Sequence, residues 1–328
     1  RRAMLKLPEP ERAKWLKAER DELDNIEAYD TWELVPRPSD PNVQVLSDRF
    51  VYYHKSDGDG NVTEYRTKFC VRGFEEDDDY KATFAPVAKY TSWRVVMALA
   101  CLYDLDVYQK DVKSAFLNTP CTEDIYIEQP EGYEVAGKES HVLKLLKYLY
   151  GLRGAPRAFN RRLRGVLEKV GFKRLMSDEA VYVLCRGDSI TIMPTHVDDL
   201  CIATNDHVTY KRLTDALDAE FKMKHVGGMA YYLGMHYVER SENTLTIHQR
   251  EYVKQLVERF RKTTAMPVST PAIPGRVMRD PKIELSEEEK REMQNKPFRS
   301  AVGSVMYAVI GTRPDVAYAT HCLTRRLC

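Results

Sequence analysis

Asp198 and Asp199 stand side by side inside the apolar, β-prone run from Ile190 to Ala203. Burying even one unpaired carboxylate is costly, so the pair needs a cation or a hydrogen-bonded turn around it. In a flat strand neighbouring side chains point to opposite faces. Two adjacent acids that serve one site therefore require the chain to turn there, as a tight hairpin does. Asp111, in the run Lys110-Asp-Val-Lys-Ser-Ala-Phe-Leu-Asn118, is the candidate third carboxylate. Three convergent carboxylates holding Mg²⁺ make a two-metal phosphoryl-transfer site. Taken alone, an Asp-Asp pair reads as a polar turn, and the same acids would also suit a metal-dependent phosphohydrolase.

The elements that must position these acids can be read from periodicity. Residues 8–30 have the pattern of an amphipathic helix, with Trp15, Leu16, Leu23 and Ile26 on one side. Thr31 to Pro36 reads as a short strand, and residues 48–56 and 62–74 as two strands joined by the turn Ser56-Asp-Gly-Asp-Gly-Asn61. In the second of these, Tyr65, Phe69 and Val71 fall on one face, and Arg66, Lys68 and Arg72 on the other. That is a basic ribbon with an apolar back, either a solvated surface or a phosphate contact. The acidic run from Glu75 to Asp79 follows as a loop. A helix over 92–103, capped by Thr91 or Ser92, precedes a β-prone segment that delivers Asp111 near its end. Short strands or loops cover 123–130 and 140–150. Pro156 opens a helix closed by Gly171, with Phe159, Leu163, Val166, Leu167 and Val170 on one face. Residues 181–203 form the strand–turn–strand unit of the acid pair, and a further helix uses Tyr210, Leu213, Leu217 and Phe221. The order helix, strand with acid, helix, acid hairpin, helix predicts an α+β layer, an antiparallel sheet backed by helices. Beyond it come a helix with Tyr252, Val253, Leu256, Val257 and Phe260, a break at 267–274, a charged linker near 280–297 and a helical end.

Bulk properties narrow the class. A chain of 328 residues with 43% hydrophobic and 30% charged residues fits a globular protein with two or three subdomains. No apolar run reaches the roughly 20 residues of a membrane-spanning helix, and the start does not read as a signal peptide. Seven scattered cysteines fit reduced thiols in an intracellular protein, and none forms the Cys-x-x-Cys spacing of a zinc site. The net charge of +1 gives no global basic excess for nucleic acid, leaving a local basic groove as the route. The chain starts without Met and runs on without a tail, as expected of a segment of a longer polypeptide.

Eight strings occur in order: Thr31-Trp-Glu-Leu-Val-Pro36, Thr83-Phe-Ala-Pro-Val-Ala-Lys89, Asp111-Val-Lys-Ser-Ala-Phe-Leu-Asn118, Ile125-Tyr-Ile-Glu-Gln-Pro-Glu-Gly132, Leu149-Tyr-Gly-Leu-Arg-Gly-Ala-Pro-Arg157, His196-Val-Asp-Asp199, Tyr232-Leu-Gly234 and Gly311-Thr-Arg-Pro-Asp-Val-Ala-Tyr318. Together they resemble the reverse transcriptase of copia-type LTR retrotransposons over nearly the whole chain. The resemblance implies a right-hand polymerase fold. Residues 1–30 would be an N-terminal helical segment, 31–90 and 118–158 fingers, and 91–117 and 159–230 palm. Residues 231–328 would hold primer grip, thumb and the start of the connection.

The activity it implies is RNA- and DNA-directed DNA synthesis, with a primed RNA or DNA template and dNTPs as substrates and two Mg²⁺ ions, replaceable by Mn²⁺, as cofactors. In the family an integrase lies upstream and a ribonuclease H downstream in the polyprotein, and an active element works in a cytoplasmic virus-like particle. No membrane is involved. Asp111, Asp198 and Asp199 would be the catalytic metal ligands. Lys55, Arg66, Lys68, Phe116, Tyr150 and Gly151 would bind the dNTP, with Phe116 beneath the sugar as a gate against ribose. Arg72, Tyr232, Leu233 and Gly234 would touch nucleic acid, the last three as primer grip. The chain departs from the family at His196 (usually Tyr), Gly154 (commonly Gln) and Lys110 (usually Leu or Met). Those departures keep a second reading open, a diverged remnant that folds and binds nucleic acid without catalysis.

Overall fold

The apolar stripe near the N-terminus produces helix α1 (Glu9–Glu27), with Pro10 in its first turn and Trp15, Ala18, Leu23 and Ile26 buried. A computed structural model describes this element and the rest of residues 1–56, 62–76, 83–229, 231–233, 235–241, 244–260, 266, 268–272 and 286–325. The turn centred on 57–61, the acidic run beyond Glu76, Gly234 and most of the break and linker between 261 and 285 lie outside those residues. Strands β1 (Trp32–Val35), β2 (Val45–Leu46), β3 (Asp48–Ser56) and β4 (Val62–Val71) follow, then helix α2 (Tyr90–Leu102) and strand β5 (Asp106–Val112). Strands β6 (Tyr126–Ile127) and β7 (Val142–Leu145) lead to helix α3 (Ala155–Val170). Next come β8 (Lys173–Arg174), β9 (Val181–Arg186), β10 (Ser189–His196), β11 (Asp199–Thr204), helix α4 (His207–Glu220) and β12 (Met223–Gly228). The last part holds β13 (Tyr231–Tyr232), β14 (Met235–Ser241), β15 (Thr244–His248), α5 (Arg250–Phe260), α6 (Glu287–Gln294), α7 (Phe298–Gly311) and α8 (Ala317–Thr324).

One six-stranded sheet, ordered β12-β5-β11-β10-β9-β8 and antiparallel throughout, carries both acid-bearing segments at its centre. Its alternation sorts side chains between two cores. Val112, Leu200 and Ile202 pack with Phe159, Leu163 and Leu167 of α3 and with Leu213 and Leu217 of α4. On the other face Cys201 and Ala203 meet Trp93, Val96, Met97 and Ala100 of α2, with Tyr232 and Met235 beside them. Each such large side chain contributes about 1.5–3 kcal/mol when fully buried, so these helices dock by area rather than by polar contacts. Gly171 ends α3 at φ +109°, a left-handed cap open to glycine. A second unit joins the sheet β1-β7-β6-β2, the β3–β4 ribbon and α1 around Phe50, Phe69, Ile26, Leu117, Ile127 and Leu149.

Two expectations are corrected. The cap of α2 is neither Thr91 nor Ser92. The helix begins at Tyr90 with Lys89 at the cap position, and Asp178 from the segment between β8 and β9 accepts the Lys89 N–H at 2.9 Å and bonds the Ser92 side chain. A carboxylate delivered by the fold serves a helix start better than a local hydroxyl. The charged stretch near 280–297 is not all linker, since Ser286 and Glu289 form a reciprocal capping box that starts α6.

Candidate active site

The β10–β11 hairpin is closed by a two-residue loop, Val197-Asp198, between the paired residues His196 and Asp199. Val197 sits at φ +54°. Positive φ at the first loop residue matches the right-handed twist of the flanking strands, yet it is strained for a β-branched side chain. The turn is held from outside, because the Asp198 carbonyl accepts the Val112 N–H at 2.9 Å. Asp198 thus projects from a turn tied to the end of β5, while Asp199 begins β11.

Register then does what spacing in the sequence does not reveal. Asp199 pairs directly with Asp111, Asp111 pairs on its other side with Lys224 of β12, and Asp199 pairs with His196. A single row across four strands therefore reads Lys224, Asp111, Asp199, His196. Directly opposed like charges on a sheet destabilise each other, so the central pair is unfavourable unless something relieves it. Burial pushes the Asp111 carboxyl above the usual range, the Asp198 charge adds to this, and Lys224 and Lys113 oppose it. Burial also raises Asp199, again with Asp198 and with Asp111, against the Gln109 amide at 3.3 Å and the nearby His196. Hard carboxylate oxygens repelling one another in a half-buried site are a donor set suited to a divalent cation. Among the described residues no three His, Cys, Asp or Glu side chains already stand at metal-holding distance. The three acids are neighbours through the β5–β11 register and the β10–β11 turn.

Lys110 does not intrude on the row. Alternation sends it to the opposite face, where burial lowers its pKa and Asp218 and Asp215 of α4 oppose the shift. Phe116 follows β5 in a short 3₁₀ turn and meets Tyr150 edge-on at 5.2 Å between ring centroids. Lys68 reaches over the same Tyr150 ring, its Nζ 4.3 Å from the centroid. Burial raises the Tyr150 hydroxyl, with the Asp198 charge next in weight. Lys68 and Phe116 thereby meet at the Tyr150 ring, with the Asp198 charge near enough to act on its hydroxyl. Gly151, at φ +96°, lies so close to β4 that an added Cβ would fall 1.9 Å from the Val71 carbonyl oxygen. The Val71 N–H also donates to the Tyr150 carbonyl at 2.8 Å, which fixes the ribbon to this turn.

Other candidate residues are held elsewhere. Lys55 and Arg66 both pair with Glu64, at 3.5 and 3.0 Å, on the exposed side of the ribbon. Arg72 lies beyond the strand with Glu75 at 3.9 Å. The Tyr232 side chain is core, 1% exposed and stacked on Trp93 at 5.7 Å, so only its backbone is available for contact. Leu233 takes φ +49°, and its carbonyl accepts from Tyr307 at 2.8 Å and Tyr90 at 3.4 Å.

Residues 29–274 match the family model described as reverse transcriptase (RNA-dependent DNA polymerase). The chain belongs to this reverse transcriptase family. Its similarity extends to the retrovirus-related Pol polyprotein from transposon TNT 1-94 of Nicotiana tabacum, 37% identical over 98% of this chain and 24% of that protein. The Pol polyprotein from transposon RE2 of Arabidopsis thaliana is 35% identical over 95% of this chain and 21% of its own length. The chain thus spans about a quarter or less of these relatives, which are polyproteins of the copia type that the motifs indicated. A solved foamy viral protease-reverse transcriptase in complex with double-stranded DNA overlaps at a TM-score of 0.44 and 10% identity, over 90% of this chain and 40% of that one. No described helix of the chain is long and apolar enough to cross a membrane.

Three residues near the candidate acids or near Lys68 escape sequence reasoning. Gln109 bonds Asp199, and its signal was parity with Asp111, two residues on. Lys224 faces Asp111 only because β12 pairs with β5, which no local pattern announces. Glu22 of α1 approaches Lys68 across 46 positions of sequence, with no motif to mark it.

Proposed function

We propose that this domain is an RNA- and DNA-directed DNA polymerase that joins a dNTP to a primer 3′-hydroxyl. The observation that carries the proposal is the register pairing of Asp111 with Asp199, with Asp198 in the loop between, in a chain of the reverse transcriptase family. Asp111 and Asp198 would hold two Mg²⁺ ions, with Asp199 in support, and the ions would lower the hydroxyl pKa and neutralise the leaving triphosphate. Lys68 supplies a point charge for the triphosphate above the Tyr150 ring, and Phe116 shapes the floor below the sugar. A ring in that place excludes a 2′-hydroxyl and so selects deoxynucleotides.

In this reading the six-stranded sheet with α2, α3 and α4 is the palm, at 91–117 and 159–230. The β1–β7–β6–β2 sheet and the β3–β4 ribbon are fingers, at 31–90 and 118–158. Residues from 231 on give primer grip, thumb and the start of the connection. The buried Tyr232 ring anchors the primer-grip backbone, and template–primer affinity is mainly electrostatic and salt-sensitive. Ribonuclease H and integrase partners belong to the parent polyprotein.

Primer extension on poly(rA)/oligo(dT) with Mg²⁺ or Mn²⁺ tests this, beside an Asp111→Asn/Asp198→Asn control. Extension that is lost in the control is the expected result. A folded protein that binds template–primer yet extends nothing would overturn the catalytic reading in favour of a binding remnant.

A further inference from the structure

Helix α1 precedes the residues that match the family model, yet it touches both the β3–β4 ribbon and the turn after β5. Near its start Trp15 packs edge-on against Tyr52 and Tyr65, with ring centroids at 5.4 and 4.6 Å. One turn on, the fully buried Glu19 carboxylate accepts from Arg1, from the Tyr52 hydroxyl and, at 2.8 Å, from the Tyr133 hydroxyl. At the far end Asn25 donates to Ser114 Oγ at 3.3 Å, and Tyr29 donates to the Lys113 carbonyl at 3.3 Å. Lys113 and Ser114 lie just after Asp111. The helix is thus a strut from the fingers ribbon to the loop that follows a catalytic acid.

Glu22 stands midway along this strut. Its Oε1 accepts the Phe69 N–H at 3.2 Å, on the edge of β4 that turns away from β3. The next N–H on that edge, Val71, goes to the Tyr150 carbonyl. One carboxylate and one carbonyl therefore hold the strand segment from which Lys68 springs. The Lys68 and Arg66 charges act on Glu22, and Glu22 acts on Cys70 and Tyr150 in turn.

We propose that Glu22 is a positioning residue of the nucleotide pocket: its carboxylate fixes the outer edge of β4 and supplies the counter-charge that the triphosphate replaces at Lys68. The inference rests on the reading of Lys68 and Tyr150 as the nucleotide site. Burial pushes Glu22 up to about 7, against the Phe69 N–H and the Lys68 and Arg66 charges. Its direct contact is the Phe69 N–H, and the charged or titratable groups within reach of its field are Lys68, Arg66 and Cys70 of β4 and Tyr150 of the turn before α3. Above neutral pH the ionised carboxylate competes with a triphosphate for the ammonium. Below it, the protonated group competes little.

The test compares wild type, Glu22→Gln and Glu22→Ala. Gln keeps an acceptor for the Phe69 N–H and loses the charge, whereas Ala loses both. KM and kcat for dTTP on poly(rA)/oligo(dT) are measured across the neutral range. In parallel, Lys68 modification by an amine-reactive ester is followed by peptide mass spectrometry, which needs no polymerase activity. At alkaline pH Glu22→Gln should lower KM about threefold with kcat unchanged, as removal of one partly screened charge allows. The difference should vanish on the acid side of neutrality, and Lys68 should react faster in the variant. Glu22→Ala should raise KM at every pH. Equal KM profiles and equal Lys68 reactivity in Glu22→Gln and wild type would overturn the proposal. Loss of incorporation in all three proteins would instead count against the polymerase reading, and unchanged Lys68 reactivity would then still overturn the role of Glu22.

Discussion

The β10–β11 hairpin and the β3–β4 ribbon both present charge at the end of a two-stranded unit, and they handle it in opposite ways. The hairpin lies inside a six-stranded sheet with helices on both faces, and its acids oppose one another in register. Lys224 and His196, at the ends of the row, offset them, with Lys113 and the Gln109 amide beside it. On the ribbon, Lys55 and Arg66 meet at Glu64, and Arg72 turns to Glu75. Exposed pairs of that kind contribute about 0–1 kcal/mol and leave little charge to offer. Half-buried like charges instead retain a demand for a ligand, because desolvation and repulsion act together. Lys68 departs from its own ribbon, since it reaches the Tyr150 ring, whose hydroxyl the Asp198 charge acts on.

The comparison breaks most directly at the acid hairpin. Asp198→Asn should cut nucleotide incorporation by about a thousandfold, with template–primer binding and the thermal midpoint little changed. Incorporation near the wild-type rate would remove the metal assignment. Phe116→Val should relax discrimination against ribonucleotides by about a hundredfold, read from the ratio of kcat/KM values for rNTP and dNTP. Unchanged sugar selectivity would show that the ring packs the core and gates nothing.

A smaller effect sharpens the contrast within the ribbon. Lys68→Ala should raise the dNTP KM about tenfold, the scale of one lost charge-assisted hydrogen bond. Arg66→Ala, already paired with Glu64, should change KM by no more than about twofold. Equal losses at the two positions would mean that the surface pairing dissolves when nucleotide arrives.

The smallest effect concerns stability. Burial, with Glu128 adding to it, raises Asp48 to about 7. A carboxyl raised in the fold stabilises it fully below the ordinary Asp range, and that contribution is lost as pH climbs through about 7. Asp48→Asn imitates the protonated form. Its stability advantage in urea titrations should grow between about pH 4 and 7 to the order of 1 kcal/mol and then level off. A gap that does not change with pH would break the assignment.

Local patterns carried much of this protein. The apolar face of α3, its Gly171 stop and the parity of β4 are written at helical and strand periods, and the structure repeats them. The acid pair could be placed in a tight turn because adjacent side chains on a straight strand diverge. What no period encodes is which strand lies beside which. The pairing of β12 with β5 sets Lys224 against Asp111, and the docking of α1 buries Glu19 and brings Glu22 to β4. From the sequence alone both glutamates read as the polar face of an amphipathic helix. Asp178, in a segment between α3 and β9, likewise came to bond the Lys89 N–H at the start of α2.

By itself, then, the sequence determined most of the secondary elements, the hairpin at Asp198-Asp199 and, through its ordered motifs, the family. Each of these depends on neighbours a few residues apart or on strings preserved whole. The tertiary structure decided which charges face each other. Side-chain electrostatics depend on distance and burial in space, and chain-distant partners such as Asp111 with Asp199 or Glu22 with Lys68 acquire both only when the sheet and helix close around them.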